Sequence, residues 1–302
     1  MPRKIVIDTD PGIDDALAIF VALASPEFDI VGVTTVAGNI GIATTTRNAG
    51  RILALGERHN LPVVAGAAGP LAGTSFDTVD IHGNDGLGGV TFPEPQSAAY
   101  SDAAAWMASL LEREPAGSVD VLALGPLTNL ARLALDRPDL LNRIGRFVAM
   151  GGAIHEPGNF GGRAEFNMAA DPHAADAMLR VGVPFTLIPL DVTRRVRATR
   201  RASLQLRGAG KPVARACAEL IDAYFRSTAG QSQQAESRPL HDPCVMAYAL
   251  DPALFQVERL PLTVDLATGA LIVDDERGIL VDVALKVDGA NALALIIERM
   301  CR

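Results

Sequence analysis

The sequence predicts a single α/β domain over residues 1–302, with a mostly parallel central sheet, flanking helices and a small peripheral β-hairpin region near the C-terminus. Three observations carry this. Apolar, β-branched runs of strand length alternate with helix-spaced apolar segments through about residue 200. The runs stop at Gly, Pro, Asn or Asp, which break strands and turn the chain. No Gly/Ser linker, repeat or low-complexity stretch divides the chain.

Ile5, Val6 and Ile7 fill a first buried strand, which Pro11-Gly12 ends abruptly. Ile13, Ala16, Leu17, Phe20 and Val21 then recur at helical spacing, so Asp14 and Asp15 fall in a first helical turn. Residues 29–37 (DIVGVTTVA) form a second strand ending in Gly38-Asn39, and residues 42–55 a helix. Residues 62–66 are a short third strand, followed to Pro95 by a Gly-, Asp- and Pro-rich segment containing IHGNDG, an expected border of a site. A helix over 97–113 and a fourth strand over 119–124 lead through GPLTN into another helix. Residues 146–150 make a further strand, and 155–167 a polar loop holding Asn159, Glu165 and Asn167. A helix over 171–181, a strand over 185–190 ending at Asp191, and a helix over 211–225 follow. The polar, Gln-containing stretch 228–239 precedes Leu240-His241-Asp242-Pro243 and an apolar helix over 244–250. Short β-like runs between 260 and 288 form the hairpin region, closed by a helix over 290–299.

A net charge of −8 disfavours a nucleic-acid backbone or an anionic membrane as partner and fits a neutral or cationic small molecule. Cys217, Cys244 and Cys301 are widely spaced and odd in number, which suits neither a disulfide framework nor a zinc site. The N-terminal residues enter a strand without the apolar region of a signal peptide, and no apolar run reaches membrane-spanning length, so a cytoplasmic protein is expected.

The chemistry concentrates at Asp8, Asp10, Asp14 and Asp15, crowded at the carboxyl end of the first strand, where open α/β sheets bind ligands. Singly, each has a plain role as turn residue, helix-dipole partner or loop anchor. Together they repel, at roughly 4 kcal/mol per pair about 4 Å apart and an effective dielectric near 20. A hard cation removes that cost, and oxygen ligands without nearby Cys or His favour Ca²⁺ or Mg²⁺. Asn39 sits at the next strand's end. The amides and carboxylate of Asn159, Glu165 and Asn167 suit a polyhydroxylated ligand. His82 is either a solvated loop residue or part of the site. His241 and Asp242 read either as packing and N-cap or as proton donor and distant ligand.

DTDPGIDDALAI at Asp8–Ile19, HGNDGLGG from His82, LGPLTNLA at Leu124–Ala131, the GN at Asn159, AEFN at Ala164–Asn167 and HDP at His241 together resemble the inosine–uridine-preferring nucleoside hydrolase family. The resemblance spans about residues 4 to 250 and implies a Rossmann-like fold with one Ca²⁺. It assigns Asp10, Asp15, Asp242 and the main-chain oxygen of Leu124 as metal ligands. Asp14, Asn159, Glu165 and Asn167 would grip the ribose, with Asn39, His82 and Met150 also facing the substrate. Asp10 would deprotonate a calcium-held water that attacks the anomeric carbon, and His241 would protonate the departing base. The implied substrate is a small-molecule ribonucleoside, and family members are commonly homo-oligomers, dimers or tetramers. Residues 227–238 (STAGQSQQAESR) depart from the aromatic, Gln or Arg pattern that marks base preference, so purine, pyrimidine and nicotinamide-type ribosides all stay open. Tyr224 and Arg226 reach the base only if their helix is shifted in register.

Two rivals remain. Asp8-Thr9-Asp10 also resembles the start of a haloacid-dehalogenase-type phosphatase, in which Asp8 would be the nucleophile. A calcium-containing riboside-binding protein without turnover is the other.

Overall fold

In the computed structural model, residues 1–96, 99–226 and 236–302 are described. Twelve strands are present among them: β1 (Arg3–Thr9), β2 (Phe28–Thr35), β3 (Val63–Ala65), β4 (Tyr100–Ser101), β5 (Val119–Ala123), β6 (Ile144–Met150), β7 (Thr186–Ile188), β8 (Arg197–Thr199), β9 (Ser237–Pro239), β10 (Phe255–Val264), β11 (Leu271–Val273) and β12 (Ile279–Val287). Ten of them form one sheet in the order β11-β10-β12-β7-β6-β5-β1-β2-β3-β4. From β4 across to β12 every pairing is parallel, and β10 and β11 add an antiparallel edge.

β1 lies between β2 and β5, where the strand order reverses; this is the crevice at which open α/β sheets take ligands. The alternation of β1 explains its central place. Ile5 and Ile7 point to one apolar layer, with the helices Ile13–Leu23, Pro212–Arg226, Pro243–Leu250 and Gly289–Met300. Val6 points to the other, with the helices Ala103–Arg113, Thr128–Asp136 and Pro172–Arg180. A strand covered on both faces has to be apolar where it is covered, as β1 is from Ile5 to Ile7.

The helix predicted over 97–113 begins later. Ser97 and Ala98 lie outside the described residues, Tyr100–Ser101 pair with β3 as an edge strand, and the helix starts at Ala103. Asp102, at φ 65°, turns the chain and accepts the Ala105 N–H at 3.1 Å. The strand predicted over 185–190 stops at Ile188, and Leu190–Thr193 forms a helical turn. The C-terminal hairpin is longer than its short apolar runs suggested and is continuous with the main sheet through the β12–β7 pairing. β8 and β9 form a separate two-stranded ladder. No helix among the described residues is long and apolar enough to cross a membrane.

Candidate active site

The ends of β1, β2, β5 and β6 converge on a narrow cleft lined mostly by polar side chains. Asp14, Asn39, His82, Leu124, Met150, Asn159, Glu165, Asn167, His241 and Asp242 all line it. Asp10 and Asp15 touch its wall from behind, through Asn39. The Asn39 N–H donates to Asp10 Oδ2 at 2.7 Å, and its amide donates to Asp15 Oδ2 at 3.1 Å.

Local sequence fixes the acidic corner. The Gly12 N–H donates to Asp15 at 2.9 Å and the Thr9 hydroxyl at 2.5 Å, so Asp15 closes the first turn of the helix Ile13–Leu23 by reaching back to its N-cap. Asp10 is walled by Gly38 and Gly125, and a Cβ on either glycine would overlap its carboxylate. Asp242, the alternative N-cap, makes no capping bond to its helix. Its carboxylate instead joins Asp14 and Asp15, the three offering oxygens within 4.8 Å of one another.

The cleft lining, among the described residues, contains no Lys or Arg to neutralise these groups. Burial, and next the Asp15 charge, push Asp14 up to about 7. Burial and then the neighbouring aspartates hold Asp10 and Asp242 well above the ordinary carboxylate range. Buried, oxygen-only and uncompensated, this donor set fits a hard divalent cation. In this structure Asp10 accepts the Asn39 N–H, and the Leu124 carbonyl accepts from the Asn167 amide at 2.6 Å.

The opposite wall carries polar groups of a different kind. Glu165 accepts the N–H groups of Gly152, Asn167 and Met168 at 3.0, 2.9 and 3.2 Å, and burial still raises it to about 7. Asn159 accepts the Phe166 N–H at 2.8 Å, and the Asn167 amide also reaches the Met150 carbonyl at 3.2 Å. Asp191, at the end of β7, gathers the N–H groups of Ile154, His155 and Glu156 and so holds the loop that presents these residues.

His82 is not a solvated loop residue. It is buried, and its Nδ1 accepts the Ile13 N–H at 3.0 Å, a bond that caps the aspartate-bearing helix and leaves the ring proton on Nε2. Burial lowers its pKa to about 4. His241 is half-buried with its edge on the cleft; its Nδ1 lies 2.8 Å from the Thr193 hydroxyl, and burial, followed by Arg194, lowers its pKa to about 3. Asp14 accepts the His241 backbone N–H.

Tyr224 lines the cleft and Arg226, two residues on, is exposed. The Arg238 guanidinium lies 6.0 Å from the Tyr224 ring centre and braces that wall. The Gln-containing stretch falls outside the described residues over 227–235. Thr78, Ile81 and Phe166 also line the cleft and escaped the sequence reading, although Ile81 and Phe166 sit inside the motifs singled out. Phe76, Phe160 and Phe166 stack and cross beside Glu165, tying the 66–95 segment to the 153–167 loop. Asp8 faces away: its Oδ1 accepts from Thr34 at 2.5 Å and Asn129 at 2.8 Å, fully buried, which rules it out as a phosphatase nucleophile.

Residues 5–294 match the model of the family described as inosine-uridine preferring nucleoside hydrolase. The chain is 39% identical over 260 residues to a pyrimidine-specific ribonucleoside hydrolase, RihA, of Salmonella typhi, covering 86% of this chain and 83% of that protein. RihA of Photobacterium profundum is 40% identical over 255 residues, covering 84% and 82%. Among solved structures, the plant nucleoside hydrolase PpNRh1 superposes with a TM-score of 0.93 at 30% identity, over 100% of this chain and 99% of that one. A purine-preferring ribonucleoside hydrolase from Gardnerella vaginalis does so with a TM-score of 0.91 at 30% identity, over 99% and 98%. A carboxylate corner facing ribose-type donors at the switch point of this sheet, with a family match along nearly the whole chain, identifies it as a member of the inosine-uridine preferring nucleoside hydrolase family, enzymes that hydrolyse the N-glycosidic bond of ribonucleosides.

Proposed function

We propose that the chain is a calcium-dependent ribonucleoside hydrolase with a preference for pyrimidine ribosides. The observation that carries the reading is the cleft that brings the uncompensated aspartates Asp14, Asp15 and Asp242 together with Asn159, Glu165 and Asn167. Pyrimidine preference rests on the relatives of higher identity, which are pyrimidine-specific, whereas the purine-preferring relative is 30% identical.

Asp10, Asp15, Asp242 and the Leu124 carbonyl would hold Ca²⁺, with Asp14 in reach of the ion and the sugar. When bound, the ion supplies positive charge that offsets the carboxylates and acidifies water. Asp14, Asn159, Glu165 and Asn167 bind the ribose hydroxyls and the 5′-hydroxyl, with Met150 and Asn39 shaping the pocket. Asp10 takes the proton of the attacking water. As the bond to the base lengthens, the ribose gains positive charge, which the surrounding carboxylates stabilise. His241 assists protonation of the leaving base, its Nε2–H being the group available to meet the charge that develops there. His82 and Tyr224 border the base.

A reducing-sugar assay across uridine, cytidine, inosine, adenosine and nicotinamide riboside tests this. Release of ribose, fastest from the pyrimidine ribosides and lost on chelation, is expected. Riboside binding without ribose release over hours would show a binding protein instead, and faster inosine cleavage would reverse the base preference. The reading also places the enzyme in the cytoplasm, in keeping with its unpaired cysteines, and as a homodimer or homotetramer, which light scattering measures.

A further inference from the structure

We infer that Thr193 is a positioning residue: its hydroxyl fixes His241 as the tautomer with hydrogen on Nε2, aimed at the leaving base. The inference rests on the hydrolase reading above and adds to it a residue outside every motif that carried that reading.

The geometry begins with the β8–β9 ladder. Arg197 pairs with Pro239 and Ala198 with Arg238, and the register continues one step further, where the Leu240 N–H donates to the Val196 carbonyl at 2.9 Å. This brings the turn Leu190–Thr193 against His241, 48 residues away in sequence. Thr193 is fully buried, and its Oγ1 lies 2.8 Å from His241 Nδ1. Among the described residues the hydroxyl has no other acceptor. A buried hydroxyl left without an acceptor is costly, so Thr193 donates and Nδ1 accepts. A neutral imidazole that accepts at Nδ1 carries its hydrogen on Nε2. The ring is thus fixed before substrate arrives, which is the preorganisation that assistance to a departing base requires.

The neutral His241 donates its Nε2–H as a hydrogen bond to the nitrogen or oxygen of the base on which negative charge develops as the glycosidic bond breaks. The base takes up a proton from solvent, equal to the one the attacking water gives to Asp10, and the imidazole ends unchanged. Thr193 gives up no proton in the overall step. Without its hydroxyl the imidazole can populate the other tautomer, which offers the base a lone pair.

The test compares Thr193→Val and Thr193→Ser with the wild type on uridine and on nitrophenyl riboside, whose leaving group needs little acid assistance. Thr193→Val should lower kcat on uridine about 10- to 100-fold, with KM changed by less than about twofold. Its kcat on nitrophenyl riboside should stay within about threefold, and Thr193→Ser should restore most of the uridine rate. Equal losses on both substrates, or a change confined to KM, overturn the inference. Nitrogen-15 NMR of the wild-type enzyme reads the tautomer without turnover and decides the matter even if Thr193→Val does not fold: Nδ1 unprotonated upholds it, Nδ1 protonated overturns it. A wild type that cleaves neither riboside removes the hydrolase reading itself, a result distinct from any failure confined to the Thr193 variants.

Discussion

The central strands bury carboxylates near both of their ends, and the two ends treat them in opposite ways. At the amino end, Asp120 of β5 is fully buried, yet its oxygens take bonds from Arg3 Nε at 2.7 Å, Arg146 Nε at 2.8 Å and the Arg146 N–H at 2.7 Å. Burial acts to raise its pKa, but the bonds from Arg3 and Arg146 outweigh this and hold it below the ordinary value. At the carboxyl end, Asp10, Asp14 and Asp242 have no such cation among the cleft lining and are all pushed up. A carboxylate neutralised by the protein's own arginines is part of the scaffold. One left uncompensated is stable only with something brought in from outside, and that is how a binding site is told from a brace.

The contrast is sharpest for catalysis. Asp15→Ala should lower kcat/KM on the order of 10³-fold or more, comparable with the loss of a main electrostatic group, and chelation should match it. Full activity in that variant would break the distinction. His241→Ala should reduce kcat by ~10²–10⁴-fold while KM changes far less. Asp120→Asn should leave kcat intact and cost about 2 kcal/mol of stability, because Arg3 and Arg146 are partly exposed and lose less than a fully buried pair would. Thermal unfolding measures that loss, and an equal fall in activity would erase the difference between the ends.

The smallest effect is in pH. In chelator-treated protein Asp14 and Glu165 titrate near 7, above their unfolded values near 4, so the folded form binds more protons between those limits. Stability of the stripped protein should therefore fall as pH rises from about 4 to 7, and Ca²⁺ should flatten the slope. Asp120 has the opposite sign. Its depressed pKa gives stability that is present above the unfolded value and lost as pH falls through the folded one. Urea unfolding at pH 5 and pH 8, with and without Ca²⁺, measures the first effect, and Asp120→Asn compared with wild type between pH 5 and pH 3 isolates the second.

How far each end could be read from the sequence follows from the range of the interactions. Asp10, Gly12 and Asp15 are joined by bonds spanning three to five residues, so a single turn of sequence holds the acidic corner apart from Asp242, which arrives from a distant helix. The helix over 42–55 matched for the same reason, its spacing being local. The wall at Tyr224 and His241 is assembled from afar. Tyr224 faces the cleft through the packing of its helix, and β8 and β9 are three residues each, too short for an alternation to register. The Thr193–His241 contact depends on that ladder and so had no signature. His82 looked like any loop histidine, because the Ile13 N–H it caps lies 69 residues away.

Gly38 and Gly125 stand on either side of Asp10 and each leaves only a hydrogen where a methyl would collide with the carboxylate. The width of the slot that holds the Asp10 carboxylate is therefore set by two residues that do not themselves line the cleft. A directed-evolution library that randomises the cleft lining would alter which base is accepted and leave this slot untouched. One that admits alanine at either glycine would move the Asp10 carboxylate in every member, whatever the rest of the pocket had become.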